Sequence, residues 1–427
     1  MVQISRTNIH WAFLLLLVVI LGSAAYVYYA ATTSQGVLDV TTYPEGARIY
    51  IDGGEVGISP DRITGIQLGL REVSVGKEGY ETYSRLFQFN PGSHREMVVY
   101  LSDKDIELGP SFEVIATTSG GSLSHGDKLF LPTTDGRIFA VDKKGKELAW
   151  EQEIENETFL YQPVTENDRL FIPSFYGPIY SLDINTGEVI WGVSVPERLV
   201  KLVGTENGLL GMSFRSQLIF LDFDGTIQWE SDPGVSLVAG SLFIQNNQGI
   251  ALSDQGQLIS IDLANGTTDE IADFEIGKVV QVAQNESTLA AAGNQRKVLF
   301  WDKNDFSSET KTLEFPQLNR LFLTSNQVVF GDAQGTMRAV DIDTGNEAWR
   351  TQLYTPTSSF AFFEDHLYFG THDGSVFILD KDTGEVLGKR ALPVQSRITS
   401  ISTDDDPNLL HVTNRGGKIT TLFLPSY

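Results

Sequence analysis

Short stretches in which apolar and polar residues alternate recur along most of the chain and predict an all-β protein. From residue 111 onward they have a fixed period. Aspartates that follow an apolar residue are spaced by 41, 39, 40, 40, 39 and 39 residues. They are Asp142, Asp183, Asp222, Asp262, Asp302, Asp341 and Asp380. Each unit contains three clear strands and a fainter fourth, so the period predicts the blades of a β-propeller.

The end of the chain sets the expected number of blades. Residues 416–423, GGKITTLF, align with DGRIFAVD at 135–142 and form an eighth unit that stops before its last strand. Residues 111–118 precede the first complete unit and can supply that strand, which would leave no exposed sheet edge. We therefore expect an eight-bladed propeller over residues 104–427, with seven blades as the alternative.

A second β-region precedes the repeats. Ala47, Ile49 and Ile51 alternate with polar residues before a turn at Gly53 and Gly54. The same period returns around residues 73–75, and two further strands are expected at residues 86–89 and 97–101. These patterns predict a small antiparallel domain, near the lower size limit for an independent core.

Four blocks of this region resemble a PEGA domain, and they occur in the order of that family. The blocks are PEGA at Pro44–Ala47, IYIDG at Ile49–Gly53, VGISP at Val56–Pro60 and VSVGKEGY at Val73–Tyr80. The resemblance covers residues 37–103. It implies a small β-sandwich that acts as an interaction or spacer module and brings no catalytic residues.

Near the N-terminus, residues 11–31 form an uncharged, mostly apolar run. A helix needs about twenty such residues to cross a bilayer, and aromatic rings at both ends of the run favour the membrane interface. Arg6 precedes the run, and the first charge after it is Asp39. The positive-inside rule therefore places the N-terminus in the cytoplasm.

The expected arrangement is a single-pass membrane protein. Residues 1–10 are a cytoplasmic tail, residues 32–36 are a linker, and the bulk of the chain is extracytoplasmic or on the cell surface. A signal peptide that is cleaved near Ser23–Ala25 is the alternative, because small residues there resemble a cleavage site.

Composition narrows the classes of partner and chemistry. The chain has 55 Asp and Glu against 31 Lys and Arg, a net charge of −24, so a nucleic-acid partner is not expected. It has no cysteine. This excludes disulfides, cysteine-ligated zinc, iron–sulfur clusters, a cysteine nucleophile and a lipid-modified N-terminal cysteine.

The stretch SLDINTGEVIW at Ser181–Trp191 returns as AVDIDTGNEAW at Ala339–Trp349. This pattern resembles the tryptophan-docking repeat of propellers related to pyrroloquinoline-quinone dehydrogenases. Trp150 and Trp229 fit it with shorter turns, whereas other repeats have a different residue in place of the tryptophan: Glu270, Thr310 and Gly388. We predict a structural role. The aspartate accepts hydrogen bonds in its turn, the glycine adopts a positive φ, and the indole packs between blades.

Enzymatic signatures are weak. The quinone enzymes have an adjacent cysteine pair, which this chain lacks. The acidic turns at 222–225 and 404–406 lack the spacing of a calcium loop, and the sequence contains no HExxH pair among its scattered histidines and no GxSxG elbow. The histidines considered are His94, His125, His366, His372 and His411. We therefore predict no catalytic, cofactor-binding or metal-binding residues, and no cofactor.

These observations favour a non-catalytic binding or scaffold protein whose propeller docks an envelope protein or a surface polysaccharide. Two alternatives remain open. One is a degenerate quinoprotein-type oxidoreductase, and the other is an envelope assembly factor resembling the propeller lipoprotein of outer-membrane protein insertion. Specificity is expected in loops. The candidate contact residues are Phe175 and Tyr176 in one loop and Tyr354, Thr355 and Pro356 in another.

Overall fold

The structure is a computed structural model. It describes residues 16–23, 35–114, 116–118, 122–143, 147–285, 287–295, 297–303, 308–312, 320–403 and 408–425. The chain divides into two compact units, Met1–Lys104 and Asp105–Tyr427.

The predicted membrane segment is described in part. Residues 16–23 are helical, while residues 11–15 and 24–31 of the segment and the predicted tail lie outside the described residues. Within the described ranges, no helix is long and apolar enough to cross a membrane.

The first unit contains a sandwich of two β-sheets. Its strands are β1 (Gly36–Tyr43), β2 (Arg48–Ile51), β3 (Gly54–Ile58), β4 (Asp61–Ile66), β5 (Gly69–Gly76), β6 (Tyr83–Phe89) and β7 (His94–Tyr100). One sheet has the order β4-β1-β7 and the other has the order β3-β2-β5-β6. Strand β1 pairs in parallel with β7 and antiparallel with β4. Side chains from both sheets, among them Val40, Ile49 and Val75, form one buried core.

The sequence predicted four of these seven strands, β2, β5, β6 and β7. Strand β1 was missed although its alternation of Leu38, Val40 and Thr42 matches its buried face. Strand β3 could not be detected by this pattern because none of its side chains is buried. Val56 and Ile58 on this strand are exposed. The alternation of buried and exposed side chains from which a strand is predicted is therefore absent from β3.

The described part of the second unit contains eight four-stranded sheets, called sheets 1 to 8 in chain order. Sheets 1 to 4 consist of β9 (Leu123–His125), β10 (Lys128–Pro132), β11 (Arg137–Asp142), β12 (Leu148–Glu153); β13 (Val164–Glu166), β14 (Arg169–Pro173), β15 (Ile179–Asp183), β16 (Val189–Val193); β17 (Leu199–Gly204), β18 (Leu209–Ser213), β19 (Leu218–Leu221), β20 (Ile227–Ser231); and β21 (Phe243–Gln245), β22 (Gln248–Leu252), β23 (Gln257–Asp262), β24 (Thr268–Asp273). A short 3₁₀ helix, Ala239–Ser241, leads into β21.

Sheets 5 to 8 repeat the same organisation. They consist of β25 (Val279–Gln284), β26 (Thr288–Gly293), β27 (Lys297–Asp302), β28 (Ser308–Thr312); β29 (Arg320–Leu323), β30 (Gln327–Gly331), β31 (Thr336–Asp341), β32 (Glu347–Gln352); β33 (Thr357–Phe363), β34 (His366–Thr371), β35 (Ser375–Asp380), β36 (Val386–Ala391); and β37 (Ile398–Thr403), β38 (Leu409–Asn414), β39 (Lys418–Phe423) with β8 (Glu107–Glu113).

Strands follow one another in chain order across sheets 1 to 7, and every neighbouring pair is antiparallel. First strands of successive sheets contact each other, as β25 does with β29 and β33 with β37. The first strand is therefore the inner strand of its sheet, and the fourth strand, which carries the docking tryptophans, is the outer one.

Sheet 8 takes its outer strand from the beginning of the unit, as the sequence predicted. The expected position, 111–118, was partly wrong. Strand β8 spans Glu107–Glu113 and pairs Glu113 with Lys418 and Glu107 with Phe423. Val114, just beyond the strand, is buried in a cluster with residues of sheets 1 and 8. The apolar residue Val114 is therefore buried between sheets, whereas strand β8, which pairs with β39, contains no buried residue.

We expect that pairing of β8 stabilises the second unit. A chain beginning at residue 105 keeps the strand, whereas a chain beginning at residue 115 exposes the edge of β39. Several lost backbone hydrogen bonds of about 1 kcal/mol each should lower the free energy of unfolding by about 3 kcal/mol or more. Thermal unfolding and size-exclusion chromatography measure this. Equal midpoints of thermal unfolding for the two chains would contradict the expectation that β8 stabilises the second unit.

Docking tryptophans connect four of the sheets to the next sheet in the chain. The indole N–H of a tryptophan on the outer strand donates to the carbonyl of the residue that follows the turn aspartate of the next sheet. The four pairs are Trp150 with Ile184 at 3.1 Å, Trp191 with Phe223 at 3.0 Å, Trp229 with Leu263 at 2.8 Å and Trp349 with Lys381 at 2.7 Å. The recurrent tryptophan is therefore part of the contact between sheets.

The turn that receives the indole explains the rest of the motif. Asp183 Oδ1 accepts hydrogen bonds from the backbone N–H groups of Asn185 and Thr186, at 2.9 and 2.8 Å. Gly187 has a φ of 77°, and a Cβ added there would lie 2.5 Å from the Trp150 ring. Glycine is needed for both the backbone conformation and the close approach. The predicted structural role of the motif is confirmed.

Gly187→Ala should destabilise the second unit more than Gly234→Ala does. Both glycines have positive φ, 77° and 70°, so both variants carry similar backbone strain. Open space surrounds Gly234, whereas Gly187 touches Trp150. Overpacking should add about 1–3 kcal/mol to the loss in Gly187→Ala. Chemical denaturation of the two variants tests this, and equal losses would show that the indole contact has no strong steric limit.

Candidate functional site

Loops at one end of the sheets carry the side chains that the recurrent motif does not use. In sheets 1 to 7 the first strand begins at this end, and antiparallel pairing returns the turn between the second and third strands to it. The fourth strand also ends there and leads into the next sheet. We call this end the top end. The docking turns, between the third and fourth strands, lie at the opposite end.

Top-end loops of sheets 2 and 3 place aromatic rings around one arginine. We call these residues, Phe175, Tyr176, Arg198 and Phe214, the aromatic patch. The guanidinium carbon of Arg198 lies 4.5 Å from the centroid of the Phe175 ring and 4.9 Å from that of Phe214. The rings of Phe175 and Tyr176 meet edge to face with centroids 5.5 Å apart. Arg198 is thus held by cation–π contacts with two rings.

Hydrogen bonds beneath the patch hold the turn that presents Phe175 and Tyr176. The Ser174 hydroxyl donates to the carboxylate of Glu157 and accepts from the backbone N–H of Tyr176 at 3.1 Å. The backbone N–H of Phe175 donates to the carbonyl of Thr158 at 2.8 Å. These bonds fix the turn, so the two rings are presented from a defined backbone.

Two aromatic side chains of the aromatic patch are largely exposed to solvent. Tyr176 is 66% exposed and Phe214 is 69% exposed. Large aromatic side chains and arginine are enriched at the centre of protein interfaces. Beside the patch, Arg215 forms an ion pair with Glu197 at 3.4 Å. An apolar centre with charged neighbours is the composition of an interface with a polar rim.

First strands place polar and basic side chains at one level near the centre of the unit. Each of these residues pairs with the last or last but one residue of its second strand, so their positions are equivalent. We call them the inner level: Lys201, Gln281, Arg320, Ser359 and Ser400. In four of the five sheets a bulge or irregularity immediately precedes the residue.

Positive charges lie close together at the top end of sheets 6 to 8. Arg320 begins β29, Arg397 immediately precedes β37, and His372 lies in the turn after β34. Burial and the nearby Arg397 lower the pKa of Arg320. Partial burial and the two guanidinium groups lower the pKa of His372, against the opposing effect of Asp373. His372 is therefore expected to be neutral at pH 7.

Two lysines lie near the inner strand of sheet 4. Burial lowers the pKa of Lys201, and burial together with Lys201 lowers the pKa of Lys303 to about 8. The ammonium group of Lys303 donates to Gln284 Oε1 at 2.9 Å and to the carbonyl of Asn285 at 2.7 Å. It also lies 4.2 Å from the ring centroid of Phe243.

The two loops proposed from the sequence lie in different parts of the top end. Phe175 and Tyr176 belong to the aromatic patch. The other loop carries Tyr354, which is 52% exposed, and Pro356, whose carbonyl accepts from the backbone N–H of His372 at 3.1 Å. Sequence reasoning missed Arg198, Phe214 and the inner level. An exposed phenylalanine between polar turn residues, as in SFRS at 213–216, was a signal for Phe214.

Acidic turns have structural partners where the structure describes them. Asp222 Oδ1 accepts from the backbone N–H groups of Asp224 and Thr226, at 3.0 and 2.8 Å. The run at 404–406 lies outside the described residues. Across the described ranges, no group of three or more histidine and acidic side chains is arranged to hold a metal ion.

Family comparisons match both units. The model of the PEGA domain matches residues 35–103. The model described as outer membrane protein assembly factor BamB matches residues 134–308, 176–356 and 274–421. The predicted combination of a PEGA domain and a PQQ-like repeat propeller is confirmed. No curated protein matches the chain by sequence.

Solved structures with similar folds include natural and designed proteins. The computationally designed Ika8 protein is 16% identical with a TM-score of 0.61, and the match covers 73% of this chain and 98% of that one. BamB from Moraxella catarrhalis is 16% identical with a TM-score of 0.59, covering 75% and 100%. The C-terminal WD40 domain of Sif2 is 9% identical with the same score and coverage. At these identities the likeness shows a β-propeller fold.

Arg397→Gln should raise the pKa of His372, because it removes a positive charge that disfavours the imidazolium ion. Since the pKa of His372 is lowered by folding, protonation below about pH 6.5 favours the unfolded chain. The free energy of unfolding should therefore fall less steeply with acidification in Arg397→Gln. An NMR titration of the ring, assigned with His372→Asn, measures the pKa. An unchanged pKa of His372 in Arg397→Gln would show that the charge of Arg397 does not act on His372. Arg350→Gln, which should leave the pKa of His372 unchanged, is the control.

Proposed function

The chain belongs to the family described as outer membrane protein assembly factor BamB, and on this basis we propose that it is a non-catalytic docking protein of the cell envelope. In this proposal the eight sheets are the blades of one closed propeller, and β8 closes the ring. A partner protein binds at the top end, on the aromatic patch.

Exposure of the aromatic patch carries this proposal. Phe214 and Tyr176 each leave about two thirds of their surface to solvent, although aromatic side chains contribute strongly to core and interface stability. Arg198 is already oriented by Phe175 and Phe214, so binding would immobilise few flexible groups. Preorganised aromatic and arginine side chains are typical of the residues that dominate binding energy.

The chemistry of the top end supports binding over catalysis. The aromatic patch contains no nucleophile paired with a general base, the arrangement that covalent catalysis needs. The recurrent aspartates, glycines and tryptophans take part in the contacts between sheets. A quinoprotein-type oxidoreductase remains the competing proposal, and no contact in the described residues favours it.

We place the propeller outside the cytoplasm, held at the membrane by residues 11–31, with the PEGA domain between them in the sequence. Support comes from the uncharged run, its aromatic ends and the preceding Arg6. An envelope location also fits the proposed role, because an assembly factor needs access to envelope proteins.

A protein is a better fit to the patch than a surface polysaccharide. Rings stacked on Arg198 present an apolar surface with a positive charge at its centre. Beside it, Arg215 and Glu197 form an ion pair that can contribute to a polar rim. This combination complements an apolar protein segment with a nearby carboxylate.

Site-specific photocrosslinking tests the docking surface. A photoreactive phenylalanine analogue replaces Phe214 in the full chain in intact cells, and the same analogue replaces Ile190 as the control. Ile190 is 46% exposed on the outer strand of sheet 2. We expect a defined envelope protein to be crosslinked from position 214 and not from position 190.

Arg198→Ala should weaken that crosslink about tenfold or more, the effect of losing a residue at the centre of an interface. Recovery of a crosslinked glycan without a protein would indicate that the partner is a polysaccharide and not a protein. Equal crosslinking from both positions, or none from 214, would overturn the docking proposal. Titration with pyrroloquinoline quinone and calcium then tests the oxidoreductase alternative through a saturable spectral change.

A further inference from the structure

Two arginines at the centre of the top end have no counterion in the part of the chain that the structure describes. Arg320 and Arg397 form neither an ion pair nor a side-chain hydrogen bond with any described residue. Each is half-buried. They are close enough for Arg397 to lower the pKa of Arg320, so two like charges lie near each other without a counter-charge from any described residue.

Several other arginines in the second unit form ion pairs. Arg137 contacts Asp135 and Glu151, and Arg350 contacts Glu347 at 3.0 Å. Carboxylates are abundant, since the chain has a net charge of −24. A shortage of acidic residues in the chain therefore does not explain why Arg320 and Arg397 have no counterion among the described residues.

Leaving such groups unpaired has a cost. A guanidinium carries five N–H donors and remains charged at any ordinary pH. Taking it partly out of water next to a like charge destabilises the fold unless a counter-charge enters. Two neighbouring guanidinium groups that have no counter-charge among the described residues are thus the arrangement expected of a binding site for an anion, in which the ligand supplies the acceptors.

Ser359 adds a neutral donor beside these charges. It lies on β33 at the inner level, equivalent to Arg320 on β29. Its hydroxyl is buried and has no hydrogen-bond partner among the residues that the structure describes. A Cβ at Gly370 would meet both this hydroxyl and Ile398, which shows that Ser359 Oγ lies on the face of sheet 7 toward sheet 8. Arg397 is the residue immediately before Ile398.

We propose that the top end of sheets 6 to 8 binds an oxyanion, a carboxylate or phosphate group, between Arg320 and Arg397, with Ser359 donating to the same group. Planar guanidinium groups match both anions through paired N–H···O bonds. Beside the two arginines, His372 adds no negative charge that would oppose entry, and Asp373 is the acidic side chain that acts on His372.

This site shares no residue with the aromatic patch. It is therefore a separate proposal, and it stands or falls independently of the partner protein. A free phosphate, or a carboxylate on a larger ligand, would be bound by the same groups. The probes must distinguish these two sources.

Isothermal titration of the full chain with inorganic phosphate and with citrate, in Tris buffer with chloride as the other anion, tests the site. We expect saturable binding of at least one probe. Arg320→Gln and Arg397→Gln should each weaken it about tenfold or more, since charge-assisted hydrogen bonds are removed. Arg350→Gln removes the same charge from an exposed, ion-paired position and should leave the affinity unchanged.

Thermal unfolding without phosphate or citrate separates binding from a structural role. Because Arg320 and Arg397 repel each other in the empty site, either glutamine variant should then unfold at the same temperature as the unaltered chain or higher. Preference for phosphate or for citrate identifies the source of the oxyanion. Absence of saturable binding of both probes, equal affinities in all variants, or a lower unfolding temperature in both glutamine variants would overturn the proposal.

Discussion

Docking of a tryptophan from one sheet onto the turn of the next is the contact on which the second unit depends. In four places an indole N–H donates to a backbone carbonyl, at distances of 2.7 to 3.1 Å. Such a bond contributes about 1 kcal/mol, and burial of the ring adds to it. Because the acceptor turn also needs its aspartate and glycine, one interaction explains the recurrence of three residue types.

This constraint separates the two ends of the unit. Docking turns occupy the end where the third and fourth strands join, so their residues are restricted by packing. Top-end loops carry no part of the motif and can differ from sheet to sheet. The aromatic patch lies among them, and Arg320 and Arg397 lie at the same end. A rigid framework with variable loops at one end is a common way for a propeller to carry a specific binding site.

The candidate site could be predicted from the sequence only where a single loop contains its residues. Phe175 and Tyr176 are adjacent and visible, whereas Arg198 and Phe214 join them from other loops. For the residues of the inner level, the alternation of apolar and polar residues does not predict the face of the strand on which each side chain lies. A bulge or irregularity precedes Lys201 and Ser359, and one extra residue changes the face on which every later side chain lies.

The sequence by itself determined the all-β character, the PEGA region, the forty-residue period and the exchange of a strand between the ends of the propeller region. These depend on local alternation and on repetition, which a linear pattern records. Tertiary structure alone decided that β8 begins at Glu107, that Phe214 and Phe175 share Arg198, and that Arg320 and Arg397 lie together. Contacts between distant loops and the register of inner strands arise from packing between sheets. Such packing joins residues that are far apart in the chain, so no local sequence pattern predicts it.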